Sequence, residues 1–157
     1  IDQMILGWER ECAELDMSSI GIVGRIIRLG KILEVQANTS LKSTGLLYTE
    51  FDVLASLRRV GKPYSLNPKQ LRESLLITSG AMTACLDRLE SRELIHREAD
   101  PNDRRGRLIV LNEKGQHLVE EAIKKRLEVA KASLEGLSHQ EQPLLAKLLK
   151  KYSQGIS

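Results

Sequence analysis

The chain has 157 residues, 41% of them hydrophobic and 29% charged, with a formal net charge of +3. That size and balance suit a single domain that buries a core, and they exclude a compositionally disordered polymer. Aromatic residues make up only 3%, with one Trp and one Phe, so the core must be aliphatic. No apolar run approaches the roughly 18 residues of a membrane span. The opening stretch from Ile1 to Trp8 leads straight into Glu9-Arg10-Glu11, which is not a secretory segment with a cleavage site. Two cysteines, Cys12 and Cys85, are too few for a disulfide framework and lack metal-ligand spacing. The expectation is a soluble, cytoplasmic chain with no metal, no cofactor and no membrane association.

In chain order, Ile5, Leu6 and Trp8 belong to a short N-terminal helix. From Met17 to about Leu41, apolar residues including Ile20, Val23, Ile26, Ile27 and Leu33 are spaced for one helical face, with Asp16, Ser18 and Ser19 available as caps. A further helix runs from Thr49 to near Gly61 on Phe51, Val53, Leu54 and Leu57; Thr49 as cap with Asp52 three residues later makes a loose capping box. Asn67-Pro68 starts a short helix carrying Leu71 and Leu75. Thr78 and Ser79 start another, whose apolar face is Met82, Cys85, Leu86 and Leu89. Two short helices joined by about three residues have the layout of a helix-turn-helix.

The period then switches. Leu94 to Glu98 and Arg107 to Leu111 read as strands flanking a turn-rich segment from Asp100 to Gly106, a hairpin with a long basic tip. A hairpin directly after a helix-turn-helix is a wing. A long helix returns from Glu113 to about Leu134, Gly136 ends it, and Ser138 caps a last helix carrying Leu144, Leu145, Leu148 and Leu149. The fold class is mainly α, a winged helix-turn-helix over 46–112. The long N- and C-terminal helices over 1–45 and 113–157 form a dimerisation region.

No catalytic motif is present: no GxSxG, P-loop, GxGxxG or HExxH. His96, His117 and His139 lie far apart in sequence and none neighbours a nucleophile, so the chain is expected not to be an enzyme. The charge distribution points elsewhere. Between Arg58 and Asn112 there are eleven Lys/Arg and seven Asp/Glu; the rest of the chain has thirteen and fourteen. All of the positive excess is in the central block, which implies an acidic partner, most often nucleic acid.

Two clusters in that block carry the expectation. Thr78, Ser79, Gly80, Thr83 and Ala84 give the second helix a small, polar amino end able to approach phosphates and base edges, with Arg88 further along the exposed side. Arg104, Arg105 and Arg107 on a glycine-containing hairpin can enter a minor groove, and Asp103 can aim Arg105 by accepting its hydrogen bonds.

These residues resemble a known family. The order of helices, Thr78-Ser79-Gly80-Ala81-Met82-Thr83, Asp87-Arg88-Leu89-Glu90, and above all Asp100-Pro101-Asn102-Asp103-Arg104-Arg105 with Leu108 to Leu111 and Gly115 are similar to the MarR family of bacterial winged-helix regulators. The resemblance implies a homodimer on a pseudo-palindromic operator in double-stranded DNA, usually repressing, and released by a small molecule or an oxidant. Ile5 to Glu11 with Leu15-Asp16 and Gly24-Arg25 further resembles the subgroup with an extra N-terminal helix that includes urate-responsive repressors. That likeness implies an effector site at Trp8, Asp52 and Arg97, with Cys85 where the subgroup has an arginine. An aromatic or phenolic effector is then favoured over urate, whose charge partner is missing. Two other readings compete: an oxidant sensor working through Cys12, and a winged helix that binds protein rather than DNA.

Overall fold

A computed structural model describes residues 1–75, 79–101 and 103–156, without the side chains of Ser79, Arg104 and Arg105. Its helices are α1 (Asp2–Glu11), α2 (Ser18–Leu41), α3 (Tyr48–Arg59), α4 (Pro68–Ser74), α5 (Ser79–Ser91), α6 (Glu113–Ala132) and α7 (Glu141–Gln154). The strands are β1 (Ser65–Leu66), β2 (Ile95–Asp100) and β3 (Asp103–Leu111). A single 3-10 turn over Lys42–Thr44 closes α2. The mainly α winged-helix architecture agrees with the sequence reading.

The core sits between α3, α4, α5, the wing base and α6. Leu41, Leu54, Leu57, Leu71, Leu89, Ile109 and Val119 are fully buried there, an aliphatic core as the composition requires. Gly115 lets α6 start hard against the wing: a Cβ at that position would stand 2.2 Å from the Leu94 carbonyl oxygen.

Local signals act where side chains meet backbone donors. Asn67 and Gln70 cap α4 reciprocally, each accepting from the other's backbone N–H at 2.9 Å, with Pro68 at the first helical position. Asp16 accepts from the Ser18 N–H at 2.9 Å, and that hydrogen bond holds its carboxyl below the ordinary value.

Two sequence expectations are corrected, and one strand is added. Helix α3 starts at Tyr48, so Thr49 lies inside it and is not its cap. Leu47 holds the extended cap conformation but has no side-chain acceptor. Asn38 of α2 accepts from the Tyr48 N–H at 3.1 Å instead, and Glu50, not Asp52, reaches back to the Leu47 N–H at 2.9 Å. The wing tip is also shorter than expected. The two strands pair from Ile95↔Leu111 out to Asp100↔Asp103, so Arg104 and Arg105 belong to a strand and not to a long loop. Finally, β1 joins the sheet edge, Ser65 opposite Val110; a two-residue strand is too short to show periodicity.

Candidate nucleic-acid interface

Helix α5 divides as its sequence pattern predicts. Met82, Cys85, Leu86 and Leu89 are buried, while Gly80, Ala81, Thr83 and Ala84 are exposed. A Cβ on Gly80 would meet nothing within 4 Å, so the amino end of this helix presents a low, open surface. Exposed backbone N–H groups at a helix start favour an anion. Thr78 lies outside the described residues, and Ser79 is placed by its backbone alone.

Arg88 lies on the exposed side of α5, but it is also engaged by a partner. Its Nε donates to Glu50 Oε1 at 2.9 Å, and this bond raises the guanidinium above its ordinary value. Half of the Arg88 side chain stays exposed, 49%, while that of Glu50 is 4% exposed. Arg88 is therefore anchored to the lobe with its outer part still on the surface.

The wing stands beside α5 and is tied to it. Arg97 of β2 donates from Nη2 to Asp87 Oδ1 at 2.6 Å and from Nη1 to Glu90 Oε2. Its backbone N–H donates to Glu90 Oε1 at 3.2 Å. At the tip, a Cβ on Gly106 would come within 2.9 Å of Asp103 Cβ and 3.1 Å of Asp100 Cβ, so the hairpin closes tightly around that glycine. Arg107 is exposed, paired across the strands with Ala99. The wing His96 meets Asn112 Oδ1 through its Nδ1.

No hydrogen bond or ion pair joins the expected effector residues Trp8, Asp52, Cys85 and Arg97 to one another among the described residues. Trp8 is half exposed on α1. Asp52 is half-buried on α3, where burial pushes its carboxyl above the ordinary value against the pull of Arg126 and Arg59. Cys85 is in the core, where burial raises its thiol to about 11, so it faces protein and not an open site. Arg97 is engaged by Asp87 and Glu90. A cleft of about 510 Å³ lies elsewhere, bounded by Thr44, Arg92, Leu94, Lys114, His117 and Leu118. Sequence reading missed Glu50, Asp87 and Glu90. Asp87 and Glu90 stand in the stretch Asp87-Arg88-Leu89-Glu90 that carries the family resemblance, but their ion pairs with Arg97 show only in the fold.

No group of His, Cys, Asp or Glu able to hold a metal occurs among the described residues, and no helix there is long and apolar enough to cross a membrane. Residues 46–106, which contain α3 to the wing, match the model of the MarR family. The multiple antibiotic resistance protein MarR of Salmonella typhimurium is 32% identical over 66% of this chain and 75% of its own length. The chain belongs to the MarR family. It is thus a transcription regulator and not an enzyme. One relative matches it almost end to end. The regulator PecS of Dickeya dadantii is 29% identical over 95% of this chain and 90% of its own. A solved structure of BpsR from Bordetella bronchiseptica, described as showing how 6-hydroxynicotinic acid regulates DNA binding, superposes with a TM-score of 0.74. It is 26% identical and covers 83% of this chain and 98% of that one.

Proposed function

We propose that this MarR-family chain binds a pseudo-palindromic operator in double-stranded DNA as a homodimer, represses from it, and is released by a small aromatic or phenolic molecule. One observation carries the reading: α5, whose amino end is open, is tied through Asp87 and Glu90 to a wing that bears Arg104, Arg105 and Arg107 within four positions. The lobe over 46–112 enters the DNA, with Ser79, Gly80, Thr83 and Arg88 in the major groove beside Thr78. The wing arginines, steadied by Asp103, lie at the minor groove. Residues 1–45 and 113–157 join the two copies.

The effector reading centres on Asp52, a carboxylate held half-buried between α3 and Arg126. Trp8, lying exposed on α1, supplies an aromatic face for a planar ligand, with Arg97 as the polar partner. A ligand that draws Arg97 away from Asp87 and Glu90 loosens the wing from α5, and so favours a state that fits both grooves less well.

Binding of a labelled duplex across a salt series tests the DNA reading. Arg105→Ala weakens binding by roughly 1–3 kcal/mol. Asp103→Ala also weakens it, although a negative charge is removed; tighter binding by Asp103→Ala refutes the aiming role. Quenching of Trp8 fluorescence by an uncharged planar aromatic or phenol, at concentrations that also release DNA, supports the effector site. Tight binding of urate contradicts it, since Cys85 cannot pair with an anion.

A further inference from the structure

We propose that Glu50 is the positioning residue that fixes the seat of α5 on the lobe, and through it the discrimination of operator from random DNA. This rests on the reading of α5 as the recognition helix. The carboxylate is buried, and three donors from two parts of the chain meet on it. Arg88 of α5 donates from Nε to Oε1 at 2.9 Å. Arg92, one turn on from Arg88 and just past the last residue of α5, donates from Nη1 to Oε2 at 3.5 Å and to the Gly45 carbonyl oxygen at 3.0 Å. The Leu47 N–H at the start of α3 donates to Oε2 at 2.9 Å. Gly45, in the left-handed conformation with φ 65°, ends the turn that closes α2. One carboxylate thus joins the carboxyl end of the recognition helix to the start of α3, and Arg92 carries the link on to the turn after α2.

The chemistry separates this role from simple capping. An uncharged amide oxygen would satisfy the Leu47 N–H equally well; only a carboxylate also balances two guanidinium groups. Removing water from a carboxylate is costly, and a buried ion pair is poor evidence of net stabilisation; its best-attested use is to fix register. A register role fits here. The buried side of α5 is Met82, Leu86 and Leu89, and apolar contacts tolerate small slides and rotations of a helix. Two directional hydrogen bonds one turn apart on the same face do not. A slide of α5 by a fraction of a turn moves its amino end off the base edges, while contacts to phosphate are more easily kept.

The test uses the full chain, a duplex it selects from a random-sequence pool, and an unselected duplex. Glu50→Gln keeps the side-chain shape and an acceptor for Leu47, and it leaves two arginines that are already partly solvated. Its affinity for the selected duplex falls about tenfold, while affinity for the unselected duplex and the salt slope stay as in the parent, because the phosphate contacts remain. Arg92→Gln, near the other end of α5 from the groove, loses discrimination in the same direction. The double variant loses no more than the worse single one. If Glu50→Gln fails to fold, Arg92→Gln carries the same expectation alone. A Glu50→Gln protein that keeps its discrimination within about twofold, an Arg92→Gln protein that keeps it, or equal losses on both duplexes overturn the proposal. A parent protein that prefers no duplex overturns the DNA reading itself, which separates the two failures.

Discussion

Arg97 Nη2 lies 2.6 Å from Asp87 Oδ1, so the first strand of the wing is fastened to the outer edge of α5. Glu90 takes the other guanidinium nitrogen and the backbone N–H of Arg97 as well. An isolated exposed ion pair contributes roughly 0–1 kcal/mol. Here one guanidinium spans two carboxylates one turn apart, and the backbone fixes where it stands, which places the pair at the upper end of that range. Arg97→Ala lowers stability by about 1 kcal/mol in urea unfolding at low salt, and by less at high salt. A variant as stable as its parent at low salt shows the clamp to be fully solvated.

Asp52 gives a pH dependence with a definite sign. Burial raises its carboxyl above the ordinary value in the folded protein, so the native state holds this proton more tightly than the unfolded chain does. Its ionisation therefore removes stability as pH rises through the carboxylate range, and the loss is complete above the folded-state value. Asp52→Asn is expected to raise the melting temperature at neutral pH, with the gain shrinking to nothing in acid. A variant less stable than its parent at neutral pH would mean that Arg126 and Arg59 more than offset the burial. A costly carboxylate kept at this place accords with a ligand-binding role.

The fold was legible wherever one chain segment decides its own structure. The periodicity of α2, the Asn67-Pro68 start of α4 and the buried face of α5 are set by residues close in sequence. What escaped depends on pairs far apart. Leu47 cannot cap α3 by itself, so Asn38 and Glu50 share the task. The hairpin extends past the turn formers because β3 finds a partner in β2 out to Asp100. Glu50 reads as an ordinary helical surface residue until the fold brings Arg88 and Arg92 against it. The effector set came from family likeness, and Arg97, one of its members, already has two carboxylate partners in this fold.

The two cysteines should differ sharply in reactivity. Cys85 is in the core, its thiol pushed up to about 11 by burial and by the nearby Glu50, and the thiolate is the reactive form. Cys12 is partly exposed where α1 ends. In the folded protein at neutral pH, alkylation followed by mass spectrometry finds the label on Cys12 alone, and Cys85 reacts only after denaturation. Rapid labelling of Cys85 in the native protein would refute its inert role and reopen a redox function within α5.

Assembly is the prediction with the widest consequences. Helix α2 leaves Ile22, Ile27, Leu29 and Val35 exposed, Leu127 on α6 is 62% exposed, and α7 leaves Leu144 and Leu148 uncovered. Helix α7 has no buried residue at all. Single exposed aliphatic residues need no explanation, but apolar residues concentrated on three long helices call for a partner surface. A second copy related by two-fold symmetry would cover them and would set two recognition helices about 34 Å apart, one turn of DNA. Light scattering should show a dimer at micromolar concentration. Leu144→Glu with Leu148→Glu places four charges in the interface of each dimer and yields a monomer, while the circular dichroism of the lobe, whose core lies elsewhere, persists. That monomer has half of the phosphate contacts, so its salt slope on the selected duplex falls to about half, and its preference for that duplex over random DNA largely disappears. A charged variant that remains dimeric, or a monomeric parent, would show that these apolar faces serve something other than self-association.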